Sequence, residues 1–130
     1  GSLAFTVAYV VIVDAVGLER LQPPPIPGDL LGEGPQLLLS TMVVVVWGPF
    51  AEEVFFRGFL LAALLPTLGP TRAAAVSAAI FAGAHLTPST MMPIFVTGML
   101  LSWLYLRSRS IWPPFMAHAV QNLVAVAFTP

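Results

Sequence analysis

Glu52, Glu53 and Arg57 lie close together in AEEVFFRG, residues 51–58. Apolar runs flank them on both sides, LLLSTMVVVVWGPF before and FLLAALL after. His85 closes the segment FAGAH, and His118 opens HAVQN, which ends on Asn122. These are the only two histidines of the chain. Carboxylates and imidazoles take and return protons near neutral pH, so together they could do general acid–base chemistry.

Placing such groups in an apolar helix is costly. Each charge at the centre of a membrane helix costs about 2.5–3.5 kcal/mol on the insertion scale. Three approach about 8–10 kcal/mol, against roughly 5–10 kcal/mol from the Leu, Phe and Val around them. Insertion is favourable only if the charges face one another or a wet cavity, and ionisable groups inside a membrane are functional candidates by default. Helix geometry sorts the three. Glu53 and Arg57 sit at i,i+4, about 40° apart around the axis, with the acid on the favourable N-terminal side. Glu52 lies about 140° from Arg57 and must find its partner elsewhere. Glu53–Arg57 can equally be an ion pair that pins helix packing. A single histidine in an apolar helix is ordinarily a packing residue, but here both histidines, Asn122 and Glu52 are nearly all the strong polar groups of the helical core.

The positioning elements follow from composition. The chain has 130 residues, 58% hydrophobic and 8% charged, with mean hydropathy +0.91. Soluble domains carry about 25% charge, so the class is membrane protein. The net charge of −1 offers no basic surface for nucleic acid. Absence of cysteine excludes disulfides, thiolate catalysis and Cys-ligated metals. Apolar stretches predict an all-α, polytopic transmembrane bundle of about five helices, over 3–18, 36–65, 71–86, 91–106 and 111–128. Gly48-Pro49 marks a kink, Pro66 an end and Thr71 an N-cap. Small-residue stripes, Ala74/Ala78/Ala82 and Gly98/Ser102, allow close helix approach. Counted along helices, Glu52, His85, His118 and Asn122 reach a common depth, and one shared cavity is expected. A Pro-rich connection over 18–35 carries Glu19, Arg20, Asp29 and Glu33. Two units are expected: 1–36, an apolar helix and Pro-rich loop, and 37–130, the core. Arg72, Arg107 and Arg109 fall on one side, which the positive-inside rule makes cytoplasmic. No basic region precedes the first apolar run, so no secretory signal is expected. The chain begins Gly-Ser without Met, as a piece of a longer protein would.

EEVFFR (Glu52–Arg57) fits EExxxR, FAGAH (Phe81–His85) fits FxxxH, and HAVQN (His118–Asn122) fits HxxxN. In this order, on apolar helices, they resemble the CAAX-protease and bacteriocin-processing family, the CPBP or Abi intramembrane proteases. The eukaryotic Ras-converting prenyl endopeptidase is similar. The resemblance covers about residues 37–128. It implies a glutamic, metal-independent intramembrane endopeptidase without cofactor, acting on a peptide or protein at the bilayer, multi-pass in a bacterial cytoplasmic membrane. It implies that Glu52 activates water with His85, that His118 and Asn122 form the oxyanion hole, and that Glu53 and Arg57 are the supporting pair. Members of that family usually have more than five membrane helices.

Competing readings are a non-catalytic protein of the same fold in bacteriocin immunity or scaffolding, a zinc hydrolase, and a small transporter with a proton-relay glutamate. The intact motifs favour the peptidase over a binder, and the lack of HExxH disfavours zinc.

Overall fold

The computed structural model describes residues 2–18, 21 and 31–127, and every regular element among them is helical. Glu19, Arg20, Asp29 and most of the Pro-rich connection lie outside the described residues. Helix α1 is Ser2–Ala15. Its expected continuation to residue 18 is cut short by a turn in which Gly17 has φ 70°, a conformation that glycine adopts without strain.

From Pro35 to Ala84 the chain is helical for 50 residues, broken by Gly69 at φ 72°, ψ 171°. We denote the two rods α2 (35–68) and α3 (70–84). The break differs from expectation. Pro66 lies inside the helix instead of ending it, and Thr71 stands within the first turn of α3 instead of capping it. The cause is the pair Gly69-Pro70: a proline disfavours helical backbone in the residue before it, and glycine readily takes positive φ.

Within α2, residues Val43–Trp47 and Val54–Leu61 are wound as π-helix. The Gly48 N–H bonds Val43 O, and Pro49 follows without an N–H. The expected kink site is therefore a widened turn, a type frequent at functional sites.

Helix α3 stops at Ala84 rather than Leu86, because Thr87, before Pro88, is extended at φ −115°, ψ 100°. This places His85 at the helix terminus and not in its interior. A short turn, Pro88–Thr90, leads into α4 (Met91–Ser108). Arg109, left-handed at φ 52°, caps it by donating its N–H to Tyr105 O at 2.7 Å. Helix α5 is Trp112–Ala127, with Pro113 and Pro114 in the first turn, where no helical donor is needed.

Helices α3 and α4 pack through small residues. A Cβ on Gly98 would come within 3.0 Å of Ala78 Cβ and 3.3 Å of Phe81 Cδ1. Ser77 donates its hydroxyl to Phe56 O at 3.1 Å, fastening α3 to α2. Thr71 and Leu106 border one cleft, so Arg72 and Arg107, their sequence neighbours, stand at the same end of the bundle. The Tyr9 hydroxyl, 3.0 Å from Ser89 O, ties α1 to the turn before α4.

Polarity is inverted relative to a water-soluble fold. Leu38, Leu39, Trp47, Phe59, Trp103 and Trp112 face outward, whereas Glu53, Arg57, Ser77, Ser102 and His118 are buried. Polar groups turned inward and large apolar groups outward suit lipid as solvent. Two stretches, Pro35–Ala84 and Pro88–Ser108, are long and apolar enough to cross a membrane.

Gly98→Leu is expected to lower stability by about 1–3 kcal/mol through overpacking against Ala78. Thermal unfolding in detergent measures this; a melting point equal to that of the unsubstituted chain would show that α3 and α4 do not meet here.

Candidate active site

Glu53 and Arg57 point into the bundle, both fully buried. Arg57 Nη1 donates to Glu53 Oε1 at 2.8 Å, and Nη2 donates to Gly98 O at 3.1 Å on α4. His118 Nδ1, from α5, lies 2.9 Å from the same Glu53 oxygen. A carboxylate accepts, so the proton of this bond belongs on Nδ1, and Nε2 is the open ring nitrogen. That Nε2 lies 3.7 Å from Glu52 Oε2. Glu52 is about 100° around α2 from Glu53. Because Glu53 points to the core, Glu52 is turned to its edge, with its side chain 38% exposed.

Phe81 organises the other side. Its ring is edge-on to His85 (centroids 4.9 Å apart), to His118 (5.8 Å) and to Phe56 (5.0 Å). The Arg57 guanidinium carbon sits 4.7 Å from its centroid, within cation–π range. One turn on, His85 Nδ1 faces Phe81 O at 2.9 Å. Both imidazoles are thus tied at Nδ1, which leaves Nε2 for other partners.

Asn122 donates Nδ2–H to Val44 O at 2.9 Å. In an α-helix that carbonyl would receive Gly48 N–H, but this bonds Val43 O, and the next residue, Pro49, has no N–H. The widened turn frees a carbonyl of α2, and Asn122 is fixed by it.

His85, His118 and Asn122 border one cavity of about 410 Å³, together with Thr97, Gln121 and residues of α1 and α4. Glu52 is not among its lining residues and comes to it through His118. Three of the four expected residues therefore share the cavity, and the fourth stands beside it. Among the described residues, no group of three or more His, Asp or Glu side chains is placed to hold a metal.

Sequence reasoning missed the Glu53–His118 bond, the Asn122–Val44 bond and the Gln121–Thr97 contact at 3.3 Å. The first had no local signal, since its partners are 65 residues apart. The second could have been sought from Pro49, which was bound to leave carbonyls behind it without helical donors.

A helical bundle with an apolar exterior, whose buried carboxylate, arginine and imidazole meet beside a cavity, has the architecture of a membrane protein. The chain belongs to the type II CAAX prenyl endopeptidase Rce1-like family, whose model matches residues 34–124. It is similar to the protein of Bacillus subtilis (strain 168) named "Putative membrane peptidase YdiL", with 28% identity over 98 residues, 75% of this chain and 39% of that protein. The chain thus spans about two fifths of the length of that curated relative. No solved structure matches it significantly. The family is the one that the EExxxR, FxxxH and HxxxN patterns resemble, and all three lie inside the matched segment.

Arg57→Ala would leave Glu53 buried without its cation, a change that costs about 3–5 kcal/mol. The expected result is a large drop in melting temperature in detergent, or loss of folded protein. Unaltered melting would show that the Glu53 carboxylate does not depend on Arg57.

Proposed function

We propose that this chain is the core of an intramembrane endopeptidase that hydrolyses a peptide bond of a membrane-associated peptide or protein with glutamate-activated water. The observation that carries the reading is the convergence of Glu52, through His118 Nε2 at 3.7 Å, with the cavity bordered by His85, His118 and Asn122. Family membership and the printed name of the relative support a peptidase.

In this reading Glu52 takes a proton from water while His85 helps to orient that water. The resulting hydroxide bonds the scissile carbonyl carbon, and the C=O π pair moves to oxygen. Donors aimed at that oxyanion contribute several kcal/mol. Asn122, whose amide has a second N–H beside the one given to Val44, is one donor. His118 is the other: with Nδ1–H held by Glu53, a proton on Nε2 makes that nitrogen a donor too. Collapse breaks the C–N bond, and the amine leaves with the proton from Glu52. Glu53 and Arg57 position His118 and touch no reacting atom. The carboxylate does the work of activation, without a metal. In this reading the protein is multi-pass in a bacterial cytoplasmic membrane, with Arg72, Arg107 and Arg109 in the cytoplasm by the positive-inside rule.

Glu52→Gln keeps the shape of the side chain and removes the base. Cleavage of membrane-presented peptides should fall by about 10²–10⁴-fold with expression and melting unchanged, and chelators should not affect the unsubstituted chain. Normal cleavage by Glu52→Gln would remove Glu52 from the mechanism, and inhibition by chelators would remove the metal-free one.

A further inference from the structure

Arg72, Arg107 and Arg109 stand exposed at one end of the bundle, and none has an ion-pair partner among the described residues. The described acids lie elsewhere. Glu52 and Glu53 sit near the middle of α2, and Glu33 precedes its far end. Asp14 belongs to α1, which Tyr9 ties to Ser89 at the opposite end. A groove opens at the arginine end. Pro70, Thr71 and Ala74 of α3 face Met99, Trp103 and Leu106 of α4 across a cleft of about 280 Å³. Pro70, Thr71 and Trp103 are exposed, so it opens to the outside of the bundle. Met99, Trp103 and Leu106 are spaced i, i+4, i+7 and make one apolar stripe along α4. Arg107, one turn beyond Trp103, ends the stripe with a cation.

We propose that this cleft binds one anionic phospholipid, which lays a hydrocarbon chain along Met99, Trp103 and Leu106 and sets its phosphate beside Arg107. The site does not require that the chain cleave peptides. The apolar exterior around the cleft places it in the bilayer, where the molecules that join a hydrocarbon chain to an anion are phospholipids. By the positive-inside rule this end meets the cytoplasmic leaflet, whose surface is negative. Charge then chooses among phospholipids. A choline headgroup carries its own ammonium, which would meet the same arginines and cancel the attraction. A glycerol headgroup leaves the phosphate charge uncompensated. The apolar stem of Arg107 can lie along the stripe while its guanidinium reaches the headgroup, where it can hold two phosphate oxygens at once. Thr71 on the facing wall offers a hydroxyl donor, and Arg72 beside it adds a second cation.

The test reads Trp103 as the only tryptophan, in the full chain carrying Trp47→Phe and Trp112→Phe. The protein is reconstituted in phosphatidylcholine vesicles in which a minor fraction of the lipid has brominated acyl chains, which quench tryptophan on contact. The brominated lipid is phosphatidylglycerol in one series and phosphatidylcholine in the other. Phosphatidylglycerol should occupy the site at least about 5-fold more favourably, the effect of one basic residue at a membrane surface. Arg107→Gln should reduce that preference about 5-fold. Arg109→Gln, which removes the same charge beyond the end of α4, should leave most of it. A companion protein that keeps only Trp47, far along α2, should show no headgroup preference. Equal quenching of Trp103 by the two lipids overturns the site. So does an equal loss of preference with Arg107→Gln and Arg109→Gln, or a preference as large at Trp47, since either would make it an effect of general surface charge. Relief of the quenching by glycerol 3-phosphate at concentrations matching the lipid would show that the anion binds without its chain, and overturns the lipid as occupant.

Discussion

Glu53 Oε1 is the atom on which the arrangement depends. It accepts from Arg57 Nη1 and lies within hydrogen-bond distance of His118 Nδ1, in a site from which water is excluded. Through Arg57 the same cluster reaches Gly98 O on α4, so three helices meet at one carboxylate. This is a poor way to gain stability. Two charges are desolvated, and Glu53 Oε2 and Arg57 Nε have no hydrogen-bond partner among the described residues. Each buried polar atom left unpaired costs about 1–3 kcal/mol, and apolar residues of similar volume often do as well or better than a buried ion pair. What the cluster supplies is direction. It fixes which His118 nitrogen carries the bonded proton and which edge of the ring meets Glu52.

The apolar scaffold serves the same end. Gly98 lets α4 approach Ala78 closely enough for its carbonyl to meet a guanidinium projecting from α2. Phe81 lies between two imidazoles and the cation, in T-shaped contact with each imidazole. Pro49 removes a backbone donor from α2, and the widened turn before it leaves Val44 O to hold Asn122. At Gly98 and at Val44 a missing side chain or a backbone irregularity in one helix is matched by a polar group from another. Interhelical bonds of this kind hold membrane bundles together where lipid offers no hydrophobic drive between helices.

Much of this was legible in the sequence, for physical reasons. The apolar stretches marked the helices because a bilayer demands long apolar runs. The i,i+4 geometry paired Glu53 with Arg57 because that relation is local. Helix ends were less legible: Pro66 was read as a stop, yet a proline near a helix end removes few hydrogen bonds, and the stop lies at Gly69, where φ is positive. The cavity was legible only in part. Depth along each helix brought Glu52, His85, His118 and Asn122 to one level, but rotation about each axis depends on packing. That rotation turned Glu53 fully inward and left Glu52 at the edge. The Glu53–His118 bond crosses between α2 and α5, and no local pattern announces it.

The two adjacent glutamates have very different surroundings. Successive residues of a helix diverge by about 100°, so one cannot be buried against Arg57 without its neighbour facing away. The inward acid is paired with Arg57 and closed off by the bundle. The outward acid is 38% exposed at the edge of the bundle and lies 3.7 Å from the His118 nitrogen that Glu53 leaves open. Moving the pair one position toward the N-terminus would put acids at 51 and 52, neither of them buried, and would leave the buried Arg57 without its i,i+4 carboxylate. The register of α2, held by Arg57 on Gly98 and Ser77 on Phe56, therefore sets which glutamate is buried in the bundle and which lies at its edge.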